Sequence, residues 1–486
     1  FIICGAVLKI IYTINGFSEL LTTSSQYKKE STEGKKLLLL DRCNWLITRI
    51  ISINLHYNEP IENYVNLHSS HLKRFLTNRN YKDIQDCLYG LGIIQKNGSY
   101  STDRFSKSFK LTAKAIDLGI IETTILTDKF DRQYKRINDQ LIEKTLSNPL
   151  LKKIAINTAK LKVVENESFL QEAYYNPLEH IKKDKFEAMS DEECEVFLNE
   201  LELKFSKDKD YLFKVMRYKE YYRGFKSLNS IDDPLQVLKL YVNYIPSIAN
   251  TGRVYHTFAS MPRQVRKCLK TKSNELIWEV DMSSAQPSII FLEWLKWAKN
   301  NYSNKFKDEY ELCLKLLLDG GIYKYIESNS EYFNDLSYEK LKKSILSAIN
   351  AENKPTTPPK KELSRLFPNV MMWVNAIKKK SGYKEVSFLG QSAEANIFVE
   401  VYKEIPDEEF ALIIHDSILT TKKDVLLVKK LLEDRVRKLF SGVILENHNL
   451  DKLFKTSLVS IRDEELMENK LNKFYDKIKE PKIKIE

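Results

Sequence analysis

Two aspartates in this chain stand where their carboxylates could do chemistry. Asp281 ends a strand-like run in Glu279-Val280-Asp281-Met282-Ser283, and Asp416 ends another in Ile413-Ile414-His415-Asp416-Ser417. Apolar runs of this kind are typical of buried strands, and neighbouring strands can place two carboxylates side by side. Such a pair holds divalent cations, and two Mg²⁺ ions can clamp the attacking and leaving oxygens of an in-line phosphoryl displacement. The pattern favours synthesis or hydrolysis of a polynucleotide.

Either aspartate alone has a simpler explanation, because an Asp after a strand is often a turn residue or a helix cap. The order of the accompanying motifs argues against that. They are Gly252-Arg253, the basic stretch Met261–Lys267, Asp281-Met282-Ser283, Leu366–Val370, Phe388–Ile397 and His415-Asp416.

In this order the motifs resemble those of the family A DNA polymerases and the related phage-type single-subunit RNA polymerases, over roughly residues 251 to 445. The chain also departs from that pattern. Ser417 follows His415-Asp416 where the DNA polymerases usually carry a second carboxylate, and the nearest match to their fingers helix, Tyr338–Asn350, has lysines but no Tyr-Gly.

The resemblance implies a role for each matched residue. Asp281 and Asp416, with the Met282 carbonyl, would hold two Mg²⁺ ions, or Mn²⁺ in their place. The incoming nucleotide would be contacted by Ser283, Gln286, Lys342, Lys343 and Asn350. The primer end would be contacted by His415, and the duplex by Arg253, Arg263, Arg266 and Gln391. Gln286 stands where the DNA polymerases place a Glu and hints at deoxynucleotides, whereas Ser417 matches the RNA polymerases.

A second segment resembles a winged helix, whose second helix commonly lies in a DNA major groove. We predict helices over Ser69–Leu76 and Tyr81–Tyr89, a hairpin turning at Asn97-Gly98 and a strand from Lys107 to Thr112. The cations that would face phosphates include Arg74, Arg79 and Lys107. Many winged helices bind protein or act as scaffolds, so that alternative stays open.

The predicted fold is α+β: a right-hand polymerase palm with a small antiparallel sheet and helical fingers and thumb, after a winged-helix-like and helical N-terminal region. The expected divisions are an unassigned region 1–60, the winged-helix-like domain 61–115, a helical region 116–250 that could supply a thumb, the palm and fingers 251–450, and a charged tail 451–486.

Composition agrees with a nucleic-acid enzyme. The formal net charge of +11 over 486 residues favours a polyanionic partner, although a Lys-rich composition also arises in AT-rich genomes. Six cysteines without metal-knuckle spacing are typical of reduced thiols, and no apolar run approaches the roughly 20 residues that cross a bilayer. We therefore expect an intracellular protein of the host cytoplasm with no membrane partner.

These patterns lead to one expectation and two rivals. The expectation is a template-directed DNA polymerase without proofreading that uses a DNA primer-template and dNTPs to replicate a phage, plasmid or mobile element. The first rival is an RNA polymerase or primase that uses NTPs. The second is a non-catalytic, DNA-binding replication initiator that keeps a palm-like scaffold.

Overall fold

The structure, a computed structural model, describes residues 11–57, 60–67, 69–77, 80–97, 108–164, 246–259, 261, 263–301, 306–354 and 356–460, with isolated residues between 185 and 229. Within these ranges the chain mixes many helices with small sheets, and all the strand pairs named below are antiparallel.

The helices of the described ranges are α1 Phe17–Thr22, α2 Ser25–Lys29, α3 Glu33–Tyr57, α4 Ser69–Leu76, α5 Tyr81–Gly90, α6 Ala113–Asp117, α7 Asp128–Leu146, α8 Pro149–Ala159, α9 Arg263–Lys267, α10 Ala285–Asn300, α11 Lys307–Leu318, α12 Ile322–Ser328, α13 Glu331–Asn334, α14 Tyr338–Asn350, α15 Pro358–Leu366, α16 Pro368–Ser381, α17 Lys384–Glu404 and α18 Val425–Leu439. The strands are β1 Ile11–Ile14, β2 Val65–Asn66, β3 Ile94–Lys96, β4 Ser108–Leu111, β5 Ile120–Thr123, β6 Leu161–Val163, β7 Ser247–Ile248, β8 Val254–Tyr255, β9 Leu269–Thr271, β10 Ile277–Met282, β11 Ala411–Ile414, β12 Ser417–Thr421 and β13 Phe454–Leu458.

The four-stranded sheet has the order β11-β12-β10-β13 and carries both aspartate motifs. Side chains alternate between the two faces of a strand. On β10, Val280 and Met282 are buried, whereas Glu279 and Asp281 are only partly buried. One face of the sheet therefore joins the core, and the other presents the polar residues of β10. The predicted small antiparallel sheet is confirmed.

Two large hydrophobic clusters organise the described residues. The first gathers buried side chains between Tyr12 and Ile137 around α3, where the rings of Trp45 and Phe75 stack at 4.7 Å. The second runs from Leu150 to Phe454 and packs α17 and α18 against the four-stranded sheet, with α10 against α17. The aspartate motifs belong to the second cluster, so its packing fixes where they lie.

The elements expected for a winged helix form in the first cluster. Helix α4 has the predicted bounds, α5 is one residue longer than predicted, and β2, β4 and β3 form a three-stranded sheet in that order. Gly98, Arg79 and Lys107 lie outside the described residues. The winged-helix assignment itself stays a prediction.

The boundaries of the packed regions in the structure differ from the domain boundaries expected from the sequence. The first cluster crosses the boundaries expected at 60 and 115, because α3 and α7 both pack into it. The boundary at 451 was wrong, because β13 pairs with β10 in the central sheet instead of opening a charged tail. Most of the 165–245 region and all of 461–486 lie outside the described residues.

Helix α16 begins in the motif Leu366–Val370, and a buried acid fixes its start. The carboxylate of Glu309 accepts hydrogen bonds from the backbone N–H groups of Asn369 and Val370 at 2.9 Å and from the Asn369 side chain at 2.7 Å. Pro368 occupies the first turn, where its missing N–H costs nothing. A negative charge at a helix N-terminus is stabilising, so this motif acts here as a helix start.

Where the structure describes the chain, no helix has the length and apolar character that a bilayer crossing requires. Cys43, Cys87, Cys268 and Cys313 are buried free thiols, as the sequence predicts. Cys4 and Cys194 lie outside the described residues.

Gly320 allows a close approach beside the first aspartate motif. It has φ +60°, and a Cβ placed on it would overlap the backbone carbonyl oxygen of Lys452. The hydroxyl of Ser283 donates to that same oxygen at 2.8 Å. The glycine thus keeps the segment before β13 against the residue that follows Met282.

We predict that Gly320→Ala lowers the free energy of unfolding by at least about 1–2 kcal/mol, because a left-handed backbone alone has roughly that cost for an L-residue. Chemical denaturation followed by circular dichroism measures the change. Gly34→Ala is the matched control, since Gly34 lies in α3 and a Cβ placed on it would meet no atom within 4 Å. An equal loss in both variants would contradict the close-approach explanation.

Candidate active site

The backbones of the two aspartate motifs meet in the central sheet. Asp281 lies opposite Ser417 on β12, and the neighbouring Asp416 belongs to the two-residue turn that joins β11 to β12. The N–H of Met282 donates to the carbonyl oxygen of Asp416 at 3.2 Å. Residues directly opposite on antiparallel strands have Cβ atoms about 5 Å apart. The two motifs are therefore neighbours in the sheet.

Two non-glycine residues close to the aspartates in sequence have a left-handed backbone conformation. His415 has φ +45° and Ser284 has φ +51°. Non-glycine residues rarely adopt this conformation, and it persists only where surrounding contacts enforce it. At His415 the positive φ lets a tight hairpin turn fit the twist of its strands. At Ser284 it turns the chain sharply from β10 into α10.

Ser283 has a structural role in this arrangement. Its N–H donates to the carbonyl oxygen of Leu453 at 2.7 Å, and its carbonyl oxygen accepts a bond from the Ser288 hydroxyl at 2.7 Å. Its own hydroxyl is bonded to Lys452. The hydroxyl hydrogen is therefore committed to the protein backbone, which differs from the nucleotide contact expected for it.

Two histidines and two arginines line the turn that carries Asp416. Burial is the main cause that lowers the pKa of His415 to about 4, and the nearby Arg253 and Arg266 lower it further. Burial also lowers the pKa of His256 to about 4. Both rings are neutral near pH 7, and the Nε2–H of His256 donates to the carbonyl oxygen of Ile413 at 2.6 Å.

Two glutamates belong to this site that the sequence did not single out. Glu279 accepts a hydrogen bond from the Ser417 hydroxyl at 2.6 Å and lies 3.7 Å from Arg266. Glu394 is almost fully buried and forms an ion pair with Arg253. Glu279 was detectable in principle, since it stands two residues before Asp281 and so shares its face of the strand.

Glu394 is electrostatically linked to the second aspartate. Burial raises the pKa of Glu394 to about 7, Arg253 opposes that rise, and the negative charge of Asp416 adds to it. Glu394 follows Gln391 by three residues on α17, so both side chains lie on a similar side of the helix. The Gln391 amide donates to the Ser387 hydroxyl at 3.3 Å.

The lysine-rich helix forms with the predicted bounds as α14, and its first residue packs against a tyrosine near Asp416. Tyr323 packs edge-on against Tyr338 at 5.8 Å. Burial raises the pKa of Tyr323, and Tyr338 and Asp416 raise it further. Lys342 and Lys343 are exposed on this helix. Both side chains are accessible to solvent.

The other predicted site residues have varied positions. Asn350 ends α14, roughly 10 Å along the axis from Lys343. Gln286 is half-buried in the first turn of α10, and Arg74 is exposed near the end of α4. Arg263 lies on α9, but its side chain is outside the described residues, as are Arg79 and Lys107.

The oxygen ligands available at this site suit a metal cation that binds the substrate as well as the protein. In the described ranges, no three His, Cys, Asp or Glu side chains group as a self-contained metal site. Mg²⁺ typically binds through one or two carboxylates and takes its other ligands from water and substrate phosphates. Asp281, Asp416 and the Met282 carbonyl could supply that protein share.

Comparison with known proteins finds similarities among solved structures. The POL domain of Pol1 from M. smegmatis, in complex with DNA primer-template and dNTP, is similar to this chain with a TM-score of 0.35 and 11% sequence identity, over 84% of this chain and 80% of that chain. At that TM-score the similarity assigns neither a fold family nor a residue role. No protein-family model matches the chain, and no curated protein matches it.

The buried His256 predicts a pH dependence of stability. Its pKa in the folded protein, about 4, lies below the ordinary value of 6.5. Between these two pH values the unfolded chain binds a proton at this histidine and the folded chain does not. Stability from this group is complete above pH 6.5 and falls as the pH drops toward 4, by up to about 3 kcal/mol.

His256→Gln is the test, because an amide can still donate to Ile413 but does not titrate. We expect the free energy of unfolding of the parent protein to fall more than that of the variant between pH 7 and pH 4.5. Urea denaturation at several pH values measures the difference. Parallel curves for the two proteins would show that His256 does not carry this dependence.

Proposed function

We propose that the protein is a template-directed nucleotidyltransferase, specifically a DNA-dependent DNA polymerase without proofreading that acts by a two-metal mechanism. The observation that supports this most is the register that places Asp281 opposite Ser417, with Asp416 in the adjoining turn. In this proposal the four-stranded sheet is the palm, and α14 with its neighbouring helices is the fingers.

The proposed cofactor is a pair of Mg²⁺ ions, held by Asp281, Asp416 and the Met282 carbonyl. When bound, Mg²⁺ lowers the pKa of a primer 3′-hydroxyl and balances the charge of departing pyrophosphate. The protein's own part is to keep two carboxylates on adjacent strands and to limit their separation through the bond from Met282 to Asp416.

The surrounding side chains have separate parts in the proposal. Lys342 and Lys343 are exposed cations on α14, whose first residue packs against Tyr323 near Asp416, so either could pair with a nucleotide triphosphate. His415 is neutral near pH 7, because burial lowers its pKa to about 4, so it can contact a primer end without adding charge. Gln391, half-buried on α17, is the candidate for a minor-groove contact.

The preference for deoxynucleotides is part of the proposal. Ser417 matches the RNA polymerases in sequence, but its hydroxyl donates to Glu279. This hydrogen bond is a structural role for the serine that does not depend on the sugar of the substrate. Gln286 is then the better indicator, as a bulky polar side chain in the first turn of α10. The winged-helix-like elements supplement this with a second DNA contact, as a replication protein of a phage, plasmid or mobile element would need.

Primer extension tests the proposal. With a primed DNA template, Mg²⁺ and dNTPs, we expect Asp281→Asn and Asp416→Asn each to lower the rate by about 10³-fold, because several kcal/mol of transition-state stabilisation is lost. Asp434→Asn, an exposed aspartate on α18, is the matched control and should keep the parent rate.

The same assay separates the rivals. Extension with NTPs and none with dNTPs would favour the RNA polymerase or primase. A parent protein that binds the primed template and never lengthens the primer would favour the non-catalytic initiator and end the polymerase proposal.

A further inference from the structure

Arg253 is held within the fold by a tight hairpin. Strands β7 and β8 pair, and the N–H of Ala249 donates to the carbonyl oxygen of Arg253 at 2.9 Å. Gly252 has φ +81°, and a Cβ placed on it would lie 3.4 Å from the Cβ of Ala395. The hairpin therefore lies directly on α17, one residue from Glu394.

Arg253 and Glu394 form a sheltered ion pair. The Nη2 atom of Arg253 contacts the Oε2 atom of Glu394, and the two side chains are 12% and 1% exposed. A glutamate is almost never this buried unless it is paired, and removing one partner leaves a costly unpaired charge. Arg253 was expected to contact the duplex backbone, but this pairing leaves little of it for a phosphate.

The pair also reaches both residues of the turn that carries Asp416. Tyr255 follows Arg253 by two residues, on β8, and is near enough to interact electrostatically with it. The ring of Tyr255 lies edge-on to the ring of His415, at 5.5 Å and 67°. From the other side, Asp416 is close enough to Glu394 to raise its pKa. Arg253 therefore lies between Glu394, which is near Asp416, and Tyr255, which packs against His415.

We propose that Arg253, Glu394 and Tyr255 form a clamp that positions the His415-Asp416 turn against β10. The clamp keeps the carboxylate of Asp416 at a fixed separation from that of Asp281. All three are positioning residues that act through Asp416. This inference rests on the proposed function for its catalytic consequence, whereas its structural claim can be tested without catalysis.

Glu394 is 1% exposed and adjoins Ala395, which faces the hairpin at Gly252. A buried acid at that position requires a buried cation nearby, and the hairpin at Gly252 supplies Arg253. The acid and the arginine are explained together by the clamp.

The catalytic test compares four variants with the parent protein. Glu394→Gln removes the acid charge, Arg253→Lys keeps the cation but changes its shape, and Arg253→Gln/Glu394→Gln leaves neither charge buried. Glu400→Gln is the matched control, since Glu400 lies on the same helix in a surface ion pair with Lys403.

For Glu394→Gln and the double variant we expect kcat to fall by about 10²-fold, as a displacement of about 1 Å can produce. The KM for dNTP and the Kd for primer-template should change by less than about twofold, because ground-state binding does not depend on the clamp. Glu400→Gln should match the parent. Full kcat in a folded Glu394→Gln protein would overturn the clamp.

Salt dependence distinguishes a clamp from a phosphate contact. If Arg253 bound a DNA phosphate, the slope of log K against log salt would become shallower by about 0.9 in the double variant than in Glu394→Gln. The clamp predicts equal slopes for these two proteins, and a difference of that size would refute it.

Hydrogen exchange tests the positioning directly, even if the parent protein synthesises nothing. The Met282 amide donates to the Asp416 carbonyl, so loosening the turn exposes it. We expect faster exchange at Met282 in Glu394→Gln and Arg253→Lys than in Glu400→Gln. Unchanged exchange would reject the clamp, whereas loss of synthesis in the parent alone rejects only the proposed function.

Discussion

The antiparallel pairing of β10 with β12 is the constraint on which the rest of the site depends. It sets Asp281 opposite Ser417, although Asp416 follows Asp281 by 135 positions in the sequence. A slip of one residue in this register would turn Asp281 toward the core and bring Val280 to the polar face. Val280 and Ile418 are fully buried opposite each other, so the apolar pattern of the two strands specifies the register that the carboxylates need.

Several charged side chains of the site are partly or fully buried, and neighbouring polar or charged groups offset the cost of burying them. Arg253 pairs with Glu394, and Glu279 lies between Arg266 and the Ser417 hydroxyl. Burial instead keeps His256 and His415 neutral by lowering the pKa of each to about 4. Asp281 and Asp416 are themselves partly buried. The fold therefore offsets the charges around the aspartates with internal partners.

Local patterns carried much of the prediction. The two aspartate motifs lie on neighbouring strands, and α14 has the bounds of the segment that resembles a fingers helix. These features follow from apolar spacing within short windows. The strand β13 was missed, since Phe454–Leu458 shows little apolar alternation and becomes a strand only through its pairing with β10.

The ion pairs were also beyond local reasoning. Glu394 lies 141 positions from Arg253 in sequence, and nothing near either residue specifies the other. Likewise, Ser283 matched a nucleotide-binding motif, but its hydroxyl is bonded to Lys452, from a segment that the sequence assigned to the tail. Roles that depend on tertiary partners need the folded chain, because a motif fixes residue types and not their neighbours.

The central claim is that Asp281 and Asp416 share one cation-binding site. Electron paramagnetic resonance of Mn²⁺, titrated into the protein with primed template and a non-hydrolysable nucleotide, tests it most directly. The account predicts that Asp281→Asn and Asp416→Asn each abolish the same tightly bound Mn²⁺ signal. Retention of that signal in either variant would show that the two aspartates do not form one site.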